Sequence, residues 1–347
     1  MTATSAQPTA PQASAAPHLS EDLLTPRFYT TEIAKAARTD LDAERPAFEA
    51  MLGEMEADYN RDHFDRKAPL VRLRNLAPEQ KEAYESYLVR SCVSEFSGFL
   101  LFKELSRQLK LAKRPELSRL FNLMARDEAR HAGFLNRALV AEGIVIDLPS
   151  LSGKRPVTWF PLNWVLYSVY LSEKIGYWRY ILIDQHLKAH PDNSFAPLFD
   201  FFEPWCQDEN RHGDIFNVLI RCWPQLKRGL RGKLLSRFFL WSVFLTHSLT
   251  VCERGNFYRI LGMDPARFDA EVIRQTNRTA GRAFLWVFDL QGSTYLNLRD
   301  QIVDTYRQLK QRRGLGRLAL KLRFAGLLLR QFIQPMQPSQ PLERGVA

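Results

Sequence analysis

One pentad occurs twice in this chain, as Asp127-Glu128-Ala129-Arg130-His131 and as Asp208-Glu209-Asn210-Arg211-His212. Each copy follows a glutamate set in an apolar run. Glu95 precedes Glu128 by 33 residues, and Glu173 precedes Glu209 by 36. On a helix, residues i and i+3 lie on one face about 5–6 Å apart. Glu128 with His131, and Glu209 with His212, therefore each offer a carboxylate and an imidazole to one metal-sized target. The duplication reads as two half-sites, each drawing one Glu from one helix and a Glu-x-x-His from the next. Four helices packed antiparallel would bring all six side chains together in the middle of a bundle.

A single Glu-x-x-His is usually a solvated pair. Two copies with matching upstream glutamates are not, and their surroundings argue for burial. The same-face neighbours are Phe121, Met124 and Leu135 around Glu128, and Phe202, Trp205, Phe216 and Leu219 around Glu209. Around Glu173 they are Leu166, Val169, Tyr170, Tyr177 and Tyr180. A carboxylate in an apolar stripe is costly unless it is paired or binds metal. Four carboxylates and two imidazoles around a metal pair make the ligand set of ferritin-like di-iron and di-manganese proteins. These donors suit iron, and open positions leave room for dioxygen. The expected fold is all-α: a ferritin-like four-helix bundle with a di-iron site, plus additional N- and C-terminal helices. The expected metal ligands are Glu95, Glu128, His131, Glu173, Glu209 and His212.

Asp127 and Asp208 stand immediately before the ligand glutamates. A metal-bound histidine usually gives its second ring N–H to a carboxylate or carbonyl. The expectation is cross-pairing between halves, Asp208 on His131 and Asp127 on His212, with Arg130 and Arg211 tying the carboxylates into a buried network. Glu104, nine residues beyond Glu95, falls off its line and reads as a non-ligand. His63 reads as a packing or surface residue. Cys92 and Cys206 each precede a proposed ligand by three residues and read as packed wall residues of the site.

Bundle boundaries follow from proline and glycine. Pro78 opens the first helix, which runs to about Leu109, and Pro115 opens the second, which ends near Gly143. The connection from Val145 to Pro161, with Pro149, Gly153 and Pro156, is long enough to cross the bundle. The third helix runs from Leu162 to about His190. The fourth runs from about Ala196 to Cys222, with Pro204 as a kink, and Pro224 ends it. Five segments result: a disordered tail at 1–20, an N-terminal helical segment at 21–77, the bundle at 78–224, a C-terminal helical, membrane-surface segment at 225–334, and a disordered tail at 335–347.

The chain is long enough for a large core, and its 46% hydrophobic and 25% charged residues are globular proportions. The four cysteines form no Cys-x-x-Cys pair, zinc site or iron–sulfur spacing and read as reduced cytoplasmic thiols. Residues 1–20 lack the basic start and apolar centre of a signal peptide. The net charge of +10 gathers at the C-terminus, where nine Lys/Arg face the single acid Glu343 from Arg307 onward. The segment Leu315–Phe332 sets Leu and Phe among Arg317, Lys321, Arg323 and Arg330. That amphipathic pattern reads as a peripheral membrane-surface helix rather than a nucleic-acid site. The apolar run Phe238–His247 is too short for a clean span of about 20 residues and reads as a buried or interfacial helix. His247 could ligate a tetrapyrrole metal, but core packing is its ordinary role. Packing is also the ordinary role of Tyr170, Tyr177 and Tyr180, which could alternatively carry a radical.

The sequence resembles the aerobic magnesium-protoporphyrin IX monomethyl ester oxidative cyclases of chlorophyll and bacteriochlorophyll synthesis. The resemblance covers roughly Leu24 to Phe284. It rests on Thr25-Pro-Arg-Phe-Tyr-Thr-Thr, Ala57-Asp-Tyr-Asn-Arg-Asp-His-Phe, Asp127-Glu-Ala-Arg-His-Ala-Gly-Phe-Leu-Asn, Asp208-Glu-Asn-Arg-His-Gly-Asp-Ile-Phe and Thr250-Val-Cys-Glu-Arg-Gly-Asn-Phe-Tyr. The pentads also occur in bacterial multicomponent monooxygenases; the flanking segments make the match specific. The resemblance implies a monooxygenase with two irons per chain that uses O2 and electrons from NADPH or ferredoxin. It would oxidise the 13-propionate methyl ester of a Mg-porphyrin and close the isocyclic ring of protochlorophyllide. It also implies an electron-donor partner and, in some members, a small auxiliary subunit. Two other readings compete: another di-iron oxidase (ferroxidase or peroxidase), and a non-enzymatic membrane-associated assembly protein. No rubredoxin-type Cys₄ site supports a rubrerythrin-like peroxidase, and six intact ligand positions speak against the assembly protein.

Overall fold

A computed structural model describes residues 29–64, 76–148 and 157–339. The expected tail at 1–20, the start of the Thr25–Thr31 motif, and Pro149, Gly153 and Pro156 of the crossover lie outside the described residues, as do 340–347 of the second tail.

Two short helices lead in, α1 (Ile33–Ala36) and α2 (Arg45–Ala57). The bundle follows: α3 (Pro78–Leu111), α4 (Pro115–Ala141), α5 (Leu162–Ala189) and α6 (Phe202–Arg221). Pro78 and Pro115 open their helices, where a missing N–H costs nothing. The Ala77 N–H is met instead by the Gln80 side chain at 3.1 Å. Gly143, at φ +79°, ends α4. There the Ile144 N–H turns back to the Leu139 carbonyl, a closure that needs a residue tolerant of the left-handed region.

The fourth bundle helix is shorter than expected. Ala196–Leu198 forms a separate 3₁₀ turn, and α6 begins at Phe202. Pro204 therefore sits in the first turn, where its ring has no preceding helical carbonyl to clash with, rather than inside the helix.

Two small sheets pin the ends. β1 (Tyr29–Thr31) pairs in parallel with β2 (Thr158–Phe160), Tyr29 opposite Thr158. Just beyond, the Glu32 carboxylate accepts from the Leu162 N–H at 2.9 Å at the start of α5. β3 (Trp286–Phe288) pairs antiparallel with β4 (Met336–Pro338). Residues 336–338, expected to belong to a disordered tail, are thus a strand.

After the bundle come α7 (Gly229–Glu253), α8 (Gly255–Ile260), α9 (Pro265–Ala280), α10 (Thr294–Gln311) and α11 (Leu315–Phe332). α9 packs on α5, so the C-terminal helices build directly onto the bundle. The run around Phe238 proves part of a 25-residue helix, because the basic Lys227–Lys233 stretch feeds into it. Among the described residues α7 alone is long and apolar enough to cross a membrane, yet 39% of its most apolar window is buried in the fold. Its buried stripe runs Ser236, Phe239, Leu240, Phe244, His247, Ser248 and Val251, a helical repeat of three and four.

Candidate metal centre

Glu95 comes from α3, Glu128 and His131 from α4, Glu173 from α5, and Glu209 and His212 from α6. All six are buried, and both imidazoles are wholly inaccessible. Their donor atoms form two groups, Glu95–His131–Glu209 and Glu128–Glu173–His212, the atoms within each lying within 4.8 Å of one another.

The grouping corrects the simple half-site. Glu128 does not share a group with His131 of its own pentad; each pentad glutamate crosses to the histidine of the other half. The reason is geometric. Glu and His of one pentad are separated by about 4.5 Å along the helix axis. The two pentads meet in antiparallel register, so Glu128 comes level with His212 and Glu209 with His131.

Hydrogen bonding orients the imidazoles. His131 Nε2 lies 3.0 Å from Asp208 Oδ2, and its Nδ1 lies 3.2 Å from Glu95 Oε2 and 3.7 Å from Glu209 Oε1. On the other side His212 Nδ1 lies 3.2 Å from Glu128 Oε1 and 3.6 Å from Glu173 Oε2. Asp127 faces His212 Nε2 at 3.6 Å, an ion-pair rather than hydrogen-bond distance. If the His131 Nε2–H donates to Asp208, Nδ1 turns a lone pair toward a carboxylate. Two acceptors at that separation need a proton or a cation between them. His212 has neither ring nitrogen in a hydrogen bond.

The electrostatics agree. Burial and the neighbouring Glu95 charge push the Glu128 carboxyl well above the usual range. Burial, Glu95, Glu173 and Glu128 do the same to Glu209. Both imidazoles are raised well above their ordinary value: burial opposes this, but the carboxylates around them outweigh it. Burial works against ionised Asp208 too, yet the His131 hydrogen bond and surrounding positive charge hold it down at about 2. The raised values are those of groups that favour sharing protons to offset their mutual repulsion. A pair of divalent cations would take the protons' place and release them. The residues present fit a di-iron centre.

The expected network of Asp127, Asp208, Arg130 and Arg211 is joined by groups not singled out from sequence, namely Asp58, Asn60, Arg126, Phe64 and Phe102. Arg130 forms a forked pair with Asp58, its second bond 2.8 Å, and stands 3.6 Å from Asp127. Arg126 joins Asp127 at 2.8 Å. Asp208 is held by Arg211 and by Asn60 Nδ2 at 2.9 Å. Asp58 and Asn60 belong to the irregular piece after α2, where Asp58 takes φ +52°. The Trp205 indole N–H donates to Glu209 Oε1 at 2.7 Å, and its ring stacks on His131 with centroids 4.6 Å apart. Phe64 meets both His131 and Trp205 edge-on, and Phe102 meets His212 edge-on.

The remaining candidates fall outside the cluster. Glu104 pairs with Arg107 at 2.7 Å. Cys92 and Cys206 are buried thiols, Cys92 pushed up to about 12 by burial. His63 packs edge-on against Phe64. The Tyr170 hydroxyl donates to the Thr279 carbonyl at 2.9 Å. Tyr177 meets Trp178 edge-on, and the Tyr180 hydroxyl accepts from Arg179. His247 is a buried core histidine whose Nδ1 lies 2.6 Å from Asp269 Oδ1, Asp269 being further bound by Arg299.

Comparison with known proteins gives this geometry its context. A family model described as Rubrerythrin matches residues 86–220, which carry all six donors. The magnesium-protoporphyrin IX monomethyl ester [oxidative] cyclase of Prochlorococcus marinus (strain MIT 9211) is 63% identical over 93% of this chain and 93% of its own length. A second such cyclase, cyclase 2 of Thermosynechococcus vestitus, is 54% identical over 91% of this chain and 92% of its own. In Nostoc sp. cyclase 1 the identity is 57% over 76% of this chain and 75% of the relative. No solved structure matches. With its ferritin-like bundle, its buried carboxylate and histidine donors, and identity sustained over nearly its whole length, the chain belongs to the magnesium-protoporphyrin IX monomethyl ester oxidative cyclase family.

Proposed function

We propose that this chain oxidises the 13-propionate methyl ester side chain of magnesium-protoporphyrin IX monomethyl ester with dioxygen and closes the isocyclic ring of a protochlorophyllide. Two irons per chain would be held by Glu95, Glu128, His131, Glu173, Glu209 and His212. The observation that carries this reading is the pair of crossed Glu–Glu–His groups, buried inside a chain whose relatives bear the cyclase name. Bound iron supplies the reductive activation of dioxygen that an unactivated C–H bond requires.

The protein's part is to orient, shield and neutralise. Asp208 keeps the proton on His131 Nε2 and leaves Nδ1 as the ligand atom. Trp205 holds one carboxylate oxygen of Glu209 and caps the imidazole plane, which limits how that glutamate can swing. Arg130 with Asp58, and Arg211 with Asp208, brace the two outer carboxylates. Phe64, Phe102, Phe134 and Phe216 are buried around the site and keep water from it.

Electrons from NADPH or ferredoxin, delivered by a partner protein, complete the reaction, with a small auxiliary subunit as a further partner. A cytoplasmic enzyme lying on a membrane surface suits the flat, apolar macrocycle. α11 supports that placement: Leu318, Leu322, Leu329 and Ile333 form an exposed apolar stripe beside Arg317, Lys321 and Arg330. The test is Glu128→Ala. The variant should lose iron and ester conversion while its helix content stays that of the parent, and full activity would overturn the site assignment.

A further inference from the structure

Near the metal centre three arginines gather where α8 packs against α3, close enough for Arg179 and Arg90 to repel Arg254. Arg90 lies on α3, Arg179 on α5 and Arg254 between α7 and α8. Their side chains are half-buried, and the Nε atom of each is buried with no hydrogen-bond partner among the described residues. Arg179 donates to the Tyr180 hydroxyl at 2.9 Å and lies over its ring; none of the three pairs with a carboxylate among the described residues. Tyr87 and Tyr258 are buried in the same cluster, and their hydroxyls are likewise unpartnered. Tyr87 is held flat against Phe257, centroids 4.4 Å apart.

Two described acids that act on the cluster are engaged elsewhere. Glu253 is taken by Lys310 and Tyr306, each at 2.6 Å. Asp269 is taken by His247 and Arg299. Burial, with repulsion from Arg179 and Arg90 and against the pull of Tyr258, lowers Arg254 below its ordinary value, whereas the surrounding phenols raise Arg179 despite its burial. Like charges gathered in a desolvated spot cost stability unless an anion completes them. Guanidinium forks flanked by phenol O–H groups match the planar, two-oxygen shape of a carboxylate.

The cluster sits one layer of side chains from the metal groups. Along their helices Arg90 is about 7.5 Å from Glu95, and Arg179 about 9 Å from Glu173. Tyr180, which Arg179 covers, lies 5.4 Å from the Trp205 ring, and Trp205 holds Glu209. A monomethyl ester of a dipropionate porphyrin keeps one free carboxylate, on the pyrrole adjacent to the one that carries the ester.

We infer that Arg90, Arg179 and Arg254, with the hydroxyls of Tyr87 and Tyr258, form the subsite for the free propionate of the substrate. Anchoring that carboxylate leaves the neighbouring esterified propionate to reach the metal centre. The subsite makes the enzyme a reader of the half-esterified state and rests on the cyclase reading. The test compares magnesium-protoporphyrin monomethyl ester with its dimethyl ester, in anaerobic binding titrations of the iron-loaded full chain. The parent should bind the monomethyl ester about tenfold or more tighter, the size of one charge-assisted hydrogen bond. Arg179→Gln and Arg254→Gln should each weaken the monomethyl ester alone, at unchanged iron content, with partial recovery in Arg254→Lys. Equal affinity of the parent for the two esters, a result independent of any variant, would overturn the subsite. So would variants that weaken both esters alike. A parent that binds two irons but neither ester would overturn the cyclase reading, and the subsite with it.

Discussion

Gly98, one turn beyond Glu95 on α3, marks where the helices leave room for a ligand. A Cβ built there would stand 2.8 Å from both Cδ and Oε2 of Glu128 and 3.2 Å from Oε1. In an ordinary helix interior Gly→Ala stabilises by about 0.5–1 kcal/mol. Here that gain comes with a displaced carboxylate, which must retreat by roughly half an ångström or more to restore an ordinary contact of about 3.5 Å. The retreat alters its approach to His212 Nδ1, now 3.2 Å away. Disturbing the support of a metal ligand typically costs about 10–100-fold in affinity or activity. Gly98→Ala should therefore lose iron to a competing chelator about that much more readily, while the metal-free protein melts no lower than the parent. Gly53→Ala is the control, because nothing lies within 4 Å of its added methyl. It should raise stability and leave iron binding alone. If Gly98→Ala holds iron as the parent does, the placement of Glu128 against α3 is wrong.

Three further outcomes follow from the same physical reading. Burial pushes Cys92 up to about 12, Cys222 up to about 11 and Cys206 higher still, so a thiol reagent at neutral pH should modify Cys252 alone in the native protein. Mass spectrometry checks this, and a modified Cys92 in folded protein would contradict the packing around the site. Burial holds Lys227 down at about 8, below an unfolded value of about 10.4. The folded chain thus binds fewer protons across that window, and its stability should rise with pH from about 8 to about 10.4, a rise that urea melts of Lys227→Met should show flattened. Finally, Leu318→Glu with Leu322→Glu should abolish co-sedimentation with anionic vesicles at unchanged iron content; retained binding would remove α11 from the membrane-facing surface.

Much of the fold could be read because the pentads and prolines act locally. The i, i+3 repeat marks the inner faces of α4 and α6, and Pro78 and Pro115 mark where helices begin. The crossed pairing of Glu128 with His212 was harder to see. It depends on the axial register of two helices that meet only through tertiary packing. Asp58 and Asn60 were hidden for another reason. They sit in an irregular piece with no period to follow, and Asp58 reaches Arg130 only because its backbone turns left-handed. That piece did carry one of the family-like motifs, the signal that could have exposed it. Gly98, too, could have been read, as a glycine inside a helix one turn from a ligand. The arginine cluster had no such signal, because Arg90, Arg179 and Arg254 are scattered along the chain and come near one another only through tertiary packing, including that of α8 against α3.

The central claim is that this di-iron chain places an oxygen atom from dioxygen on the porphyrin side chain. The most direct measurement supplies iron-loaded protein with magnesium-protoporphyrin monomethyl ester, reductant, membranes and isotopically heavy dioxygen. The product is then read by absorbance and mass. Protochlorophyllide whose ring ketone carries heavy oxygen is the predicted result. Two irons bound with the ester left unchanged, or a ketone whose oxygen comes from water, would contradict the account.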